Sequence, residues 1–260
     1  MAVRIISDLH SATDALAAEV REHDELLLLG DLINLIDYSE MDGLLVDVFG
    51  VEAVRRVVEL RTSGRVEEAR AVMAERRQGR EEDTAQRFTD LARAEYEQVR
   101  DALPGKTYLI LGNTDWPSMA EETLAGKVET VDGKVIDLHG HRIGFVGGGL
   151  PTPLRVAGEI PEEEYNAKLD GLGDVDVLCS HVPPDIPELT FDTLAERHER
   201  GSPRLLEYIR EVQPLKVYFG HIHQPLISSA HLGRTHVVNV GYFRRTRRAF
   251  TLRVEEALAG

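Results

Sequence analysis

The chain has 260 residues, 42% of them hydrophobic, enough for one large α/β domain or two modest ones with a sizeable core. Acidic residues outnumber Lys and Arg by 45 to 30, giving a net charge of -15. That balance disfavours stable nucleic-acid binding, yet it leaves phosphorylated substrates open because bound metal ions invert the local field of an acidic site. The single cysteine, Cys179, excludes an internal disulfide and reads as a small buried residue; no apolar run approaches about 20 residues, so no membrane span or signal peptide is expected and a cytoplasmic location is.

Taken in order, residues 3–7 read as a parallel strand ending at Ser7-Asp8. Residues 14–22 have helical spacing, with Leu16 and Val20 on one face and Ser11 or Thr13 as the expected cap. Leu26 to Leu29 is a second buried strand, closed by Gly30-Asp31. In parallel sheets, sites form where strands present their carboxyl ends.

Residues 37–100 interrupt this alternation. Between 51 and 100 there are 11 Arg and 11 acidic residues, with the signs interspersed, which points to solvated helix faces rather than a nucleic-acid stripe. Three stripes stand out: Val54, Val57 and Val58; Val66, Ala69, Val72 and Met73; Phe88, Leu91, Ala92, Glu95 and Val99. They predict two or three amphipathic helices broken near Ser63-Gly64 and Gly79. The stretch is too long for a simple connection and reads as a helical insertion within a single domain over 1–260, able to cover a site or build a homo-oligomer contact.

Strands resume at 107–111, followed by 128–131, a hairpin of 134–138 with 142–146, and then 176–179, 215–219, 236–240 and 250–254, with a helix over 204–209. The triple glycine at 147–149 lacks the Lys-Ser/Thr ending of a phosphate loop and reads as a tight turn bringing backbone near the site.

Polar residues recur at the strand ends: Asp8-Leu9-His10, Gly30-Asp31, Gly112-Asn113-Thr114-Asp115, Ser180-His181 and Gly220-His221-Ile222-His223. On an extended strand, residues i and i+2 point the same way, so Asp8 and His10 can face one metal. His221 and His223 share that spacing, although a turn there would send them to two adjacent metals. The Asp31 carboxylate can bridge two cations; Asn113 offers a carbonyl oxygen and His181 a nitrogen. Mixed N and O donors suit Mn, Fe or Zn.

These motifs, in this order over residues 3 to 224, resemble those of the calcineurin-like metallophosphoesterases, whose pattern runs Asp-x-His, Gly-Asp, Gly-Asn-His-Asp/Glu, His, Gly-His-x-His. The resemblance implies a four-layer α/β/β/α sandwich of two mixed sheets. It also implies two divalent or trivalent metal ions, with Mn and Fe favoured and Zn accommodated. Asp8, His10 and His223 would hold one metal and Asn113, His181 and His221 the other, with Asp31 bridging; His10, Asp31 and Asn113 would be the catalytic residues. A water shared by the cations would become hydroxide and attack phosphorus in line.

One departure stands out. The histidine usual between Asn and the acidic residue of the third motif is Thr114, a poor general acid. Either the leaving group needs little protonation, or His10, His139, His141 or a residue of the insertion supplies the proton. Activated or cyclic phosphodiesters, including small nucleotides, then suit the site better than simple alkoxide leaving groups. Asp115 is expected to orient its neighbours, and Trp116 either stacks on a substrate ring or packs under the insertion. One Arg of 244–248 is a candidate phosphate contact. A phosphomonoesterase, or an interaction scaffold with a weak site, are the competing readings.

Overall fold

The computed structural model describes residues 2–153 and 155–252. The chain opens with β1 (Val3–Ile6), α1 (Thr13–Glu19) and β2 (Glu25–Leu29). Four helices follow: α2 (Leu44–Phe49), α3 (Val51–Thr62), α4 (Val66–Arg77) and α5 (Glu81–Ala102). Then come β3 (Lys106–Ile110), α6 (Pro117–Leu124), β4 (Glu129–Thr130), β5 (Val135–Leu138), β6 (His141–Val146), α7 (Glu162–Leu172) and β7 (Val177–Ser180). The last third holds α8 (Pro187–Thr190), the small hairpin β8 (Phe191–Asp192) and β9 (Arg197–His198), α9 (Pro203–Val212), β10 (Lys216–Phe219), β11 (Ser229–Leu232), β12 (Thr235–Asn239), α10 (Phe243–Thr246) and β13 (Phe250–Leu252). Of the strand expected over 250–254, residues 253 and 254 lie outside the described residues.

Two mixed sheets result, ordered β13-β1-β2-β3-β4 and β11-β12-β10-β7-β6-β5. In the first, β1, β2, β3 and β4 are parallel and only β13 is antiparallel. Every residue of β2 is buried, because both faces are covered. Leu26 and Leu28 pack outward with Leu16, Tyr96 and Leu124 of α1, α5 and α6. Leu27 and Leu29 point the other way, into a core shared with Phe145, Cys179 and Tyr218 of the second sheet. On the far side, α7 and α9 bring Tyr165, Leu169, Leu205 and Ile209 against Leu178 and Val217. These three cores separate four layers, α/β/β/α, as expected. Burial pushes the Cys179 thiol up, in keeping with an inert core residue.

The insertion differs in detail from its sequence reading. Over 51–100 the three helices α3, α4 and α5 break at Ser63-Gly64 and Gly79 as expected, but a further helix, α2, precedes them, set off by Gly50 at φ 84. Residues 37–43 are not helical. The helices α3 and α4 close a small core of their own from Val57, Leu60 and Ala69. The expected side-chain cap of α1 is absent: Ala12 occupies the cap position and Thr13 lies inside the first turn. Ser11 instead donates its hydroxyl to Glu95 at 2.5 Å, a contact made only once α5 docks.

The inter-sheet layer holds the two sheets face to face, so cavities there are costly. Leu27→Ala is expected to lower unfolding free energy by about 2–5 kcal/mol, measured by urea denaturation.

Candidate metal centre

The parallel strands β1, β2 and β3 of one sheet and β7 and β10 of the other end at one common edge, where the five motifs meet. The chain leaves β1 and β10 before Asp8 and His221, so the extended geometry expected of Asp8-x-His10 and His221-x-His223 does not hold. Asp8 (φ 55), His10 (φ 40), Asp31 (φ 54) and His221 (φ 67) all take left-handed backbone. Each such residue costs on the order of 1–3 kcal/mol, and that cost persists only where surrounding contacts over-determine the conformation. Here they do. The Asp8, His10 and Ser11 amides donate to the carbonyls of Gly30, Asp31 and Leu32, and the His221 amide donates to the Asp8 carboxylate at 3.0 Å.

The side chains converge. Ligand atoms of Asp8, His10, Asp31 and His223 lie within 4.8 Å of one another, and so do those of Asp31, His181 and His221. Asp31 belongs to both groups. Asn113 joins the second through its Oδ1, 2.9 Å from His181 Nε2. His223 lies against Asp8, with Nε2 to Oδ1 3.5 Å, and its Nε2 is 3.2 Å from that of His10.

The proton inventory shows what this cluster is suited to hold. His10 Nδ1 donates to the Ile33 carbonyl at 3.1 Å and His181 Nδ1 to the Leu29 carbonyl at 2.8 Å. In its neutral, ligating form each ring therefore carries its proton on Nδ1 and turns an Nε2 lone pair inward. Those lone pairs face the two oxygens of one carboxylate: His10 Nε2 is 3.6 Å from Asp31 Oδ2, and His181 Nε2 is 3.6 Å from Asp31 Oδ1. Lone pair against lone pair is repulsive unless a cation sits between them. The donor set therefore fits a pair of divalent metal ions, one on each side of Asp31.

Electrostatics keeps most of these groups in their ligating forms. Burial, and for His221 also the neighbouring His181, pushes the imidazole down to about 4; burial likewise lowers His10. Burial works to raise the Asp8 and Asp31 carboxyls, but the surrounding imidazoles outweigh it and both fall below the usual range. His223 is the exception: burial lowers it, while the contact with Asp8 and the charges of Asp8 and Asp31 win and raise it.

Behind the ligands stands Asp115, completely buried. Its carboxylate accepts from the amides of Gly112, Asp31 and Leu32 at 2.8 to 2.9 Å and from the Tyr96 hydroxyl at 3.2 Å. Burial, with the Asp31 charge, pushes its carboxyl up to about 6 despite the backbone donors. Close backbone approaches complete the cradle. A Cβ on Gly149 would lie 2.3 Å from Asn113 Cβ, so the triple-glycine turn does press on the site; one on Gly220 would lie 1.9 Å from Ser7 Oγ and 2.3 Å from Asp8 Oδ2.

Several sequence candidates stand elsewhere. The Trp116 ring stacks on Phe88 of α5, with centroids 5.4 Å apart and planes 6° apart, so that face packs under the insertion instead of meeting a substrate. His139 contacts Glu25 at the opposite end of β2 from Asp31, on the order of 20 Å away at about 3.3 Å per residue. His141 opens β6, whose other end leads to the glycine turn. Neither can act at the centre. Arg244 is not free for a phosphate: it donates to the His10 carbonyl at 2.7 Å and to Asp42 at 2.6 Å. The motif reading missed Glu95, Tyr96, Asp37 and Tyr242. Glu95 left a signal, a carboxylate within an apolar helical stripe; it is half-buried and accepts from Ser11 and from the Asn34 amide.

Facing sheets with two adjoining clusters able to hold metal ions at a shared edge fit a metal-dependent hydrolase. The chain belongs to the calcineurin-like phosphoesterase family, whose profile matches residues 1–225, and it is thus a metal-dependent phosphoesterase. No curated protein matches its sequence. Among solved structures it is similar to a protein of unknown function from Aquifex aeolicus, at 13% identity over 96% of this chain and 95% of that one, with a TM-score of 0.42. Among the described residues, no helix is long and apolar enough to cross a membrane.

Relief of lone-pair conflict should register as stability. Saturating the metal-stripped protein with Mn(II) at 100 times its dissociation constant is expected to add about 2.7 kcal/mol per site to the unfolding free energy. In Gly220→Ala, where Asp8 must shift, calorimetry should show a smaller gain.

Proposed function

We infer that the chain is a phosphodiesterase acting on a small substrate with a good leaving group, a nucleotide or cyclic nucleotide being the favoured class. In this reading Asp8, His10 and His223 hold one metal, Asn113, His181 and His221 hold the other, and Asp31 bridges them. The N and O donor set favours Mn or Fe and accommodates Zn. Bound cations would supply Lewis acidity to water and to the phosphoryl group. The chain's own residues do the rest. Asp31 and His10 are held at fixed positions by strained, hydrogen-bonded backbone, and Asn113 by the Gly158 amide on its carbonyl, which suits them to orient a phosphoryl group without reorganisation.

The observation that carries the reading is the lack of an acid at position 114. The Thr114 amide donates to Asp31 Oδ1 at 2.9 Å, while its hydroxyl is buried and makes no hydrogen bond to any described residue. A hydroxyl of this kind is too weak an acid to protonate an alkoxide readily. Of the other candidate sources, His139 and His141 are remote and His10 is committed at both ring nitrogens in this reading, which leaves only a residue of the insertion. General acid catalysis is typically worth about 10²–10⁴-fold, so leaving groups that depend on it should be poor substrates here.

A panel of aryl phosphodiester, aryl phosphomonoester, alkyl diester and cyclic nucleotide, assayed with Mn(II), tests this. Aryl and cyclic diesters should turn over fastest. A clear preference for monoesters would replace the reading with a phosphomonoesterase, and full metal occupancy without any hydrolysis would leave a scaffold. Thr114→His should raise turnover on the alkyl diester by about tenfold and change aryl turnover little. Asp31→Ala should remove both metals from the purified protein, measured by elemental analysis; unchanged metal content would overturn the bridging role.

A further inference from the structure

His223 is held differently from His10 and His181. His10 and His181 each have Nδ1 fixed on a backbone carbonyl, whereas His223 has no such bond to any described residue, and 31% of its side chain is exposed. A partly exposed imidazole held only through its Nε2 contacts with Asp8 and His10 can still swing its ring plane and ligate poorly. Something else must set its plane.

That contact is Tyr242. Its ring stacks on His223 with centroids 3.9 Å apart and planes 7° apart. It also meets His10 edge-on at 5.5 Å, with planes 85° apart, so one aromatic face and one edge serve two neighbouring imidazoles. The tyrosine is itself immobilised. It is buried, and its hydroxyl donates to Asp37 Oδ2 at 2.8 Å. Asp37 is held in turn by the Ser39 amide and hydroxyl, by the Glu40 amide, and by Arg244 Nε at 3.4 Å. The backbone beside Tyr242 is tied to the segment that carries the other ligands: the Phe243 amide donates to the Ser7 carbonyl and the Arg244 amide to the Asp8 carbonyl.

We propose that Tyr242 is a positioning residue that sets the ring plane of His223, and thereby the affinity of the metal position formed by Asp8, His10, Asp31 and His223, without touching metal or substrate. The Asp37 carboxylate fixes the tyrosine hydroxyl and so the stack. Because Asp37 and Asp42 lie just ahead of α2, the anchor of this metal position is built from the root of the helical insertion. The second position, with His181 and His221, has no share in this clamp. The proposal rests on the paired metal centre inferred above.

The test is metal binding by the stripped full-length chain, with Co(II) followed by visible absorption and Mn(II) by calorimetry. The unaltered chain should show two binding steps. Tyr242→Leu should weaken one step by about 10–100-fold and leave the other within about twofold. Tyr242→Phe, which keeps the ring and loses the hydroxyl, and Asp37→Asn should each weaken the same step by less than about tenfold. A general packing role would instead lower both steps together with the melting temperature of the metal-free protein. Two unchanged steps in Tyr242→Leu, or equal weakening of both, would overturn the proposal. Absence of any metal binding by the unaltered chain would overturn the metal centre itself, and this inference with it.

Discussion

The Asp115 carboxylate is the constraint on which the site depends. It is buried and accepts three backbone amides, two from the chain leaving β2 and one from the chain leaving β3. A buried acceptor of this kind is costly unless its lone pairs are used, and here they are. The result is a cross-link between two strand ends that holds Asp31 in left-handed backbone. From that conformation its two oxygens face His10 on one side and His181 on the other. Together with the His10 amide on the Asp31 carbonyl, this cross-link offsets the strain at Asp31.

The same carboxylate recruits the insertion. Tyr96 of α5 donates to Asp115 and accepts from the Trp116 amide at 2.8 Å, while Glu95, next along the helix, accepts from Ser11 and Asn34. Burial raises Glu95, and its donors only partly offset that. The helix α5 is therefore part of the shell that supports the ligands, whereas α3 and α4 form a hairpin with a separate small core. The insertion thus has two parts of different standing, one that supports the centre and one that packs on its own core.

Much of the architecture was legible in order along the chain. Runs such as Leu26 to Leu29 are buried on both faces only in a sheet covered twice, and the two facings of β2 supply both of its cores. The ligand candidates were legible because polar residues recur after apolar runs. The cap of α1 was not, since Ser11 serves Glu95, 84 residues away. Trp116 left both uses of its ring open until Phe88 was seen to cover one face. His139 and His141 looked like neighbours of the site by composition alone, because distance along a strand does not tell which end of the sheet a turn occupies.

The sequence by itself determined the donor chemistry, the order of the motifs and the missing acid at Thr114, because these are properties of residue identity and local spacing. Tertiary structure decided the rest: which lone pairs face which, that Asp31 stands between two histidines, and that Tyr242 sits against His223. Those relations join residues from β1, β2, the insertion and the segment after β12. No local periodicity encodes them, because they arise only when the strand ends are brought to one edge and the buried polar atoms there must find partners.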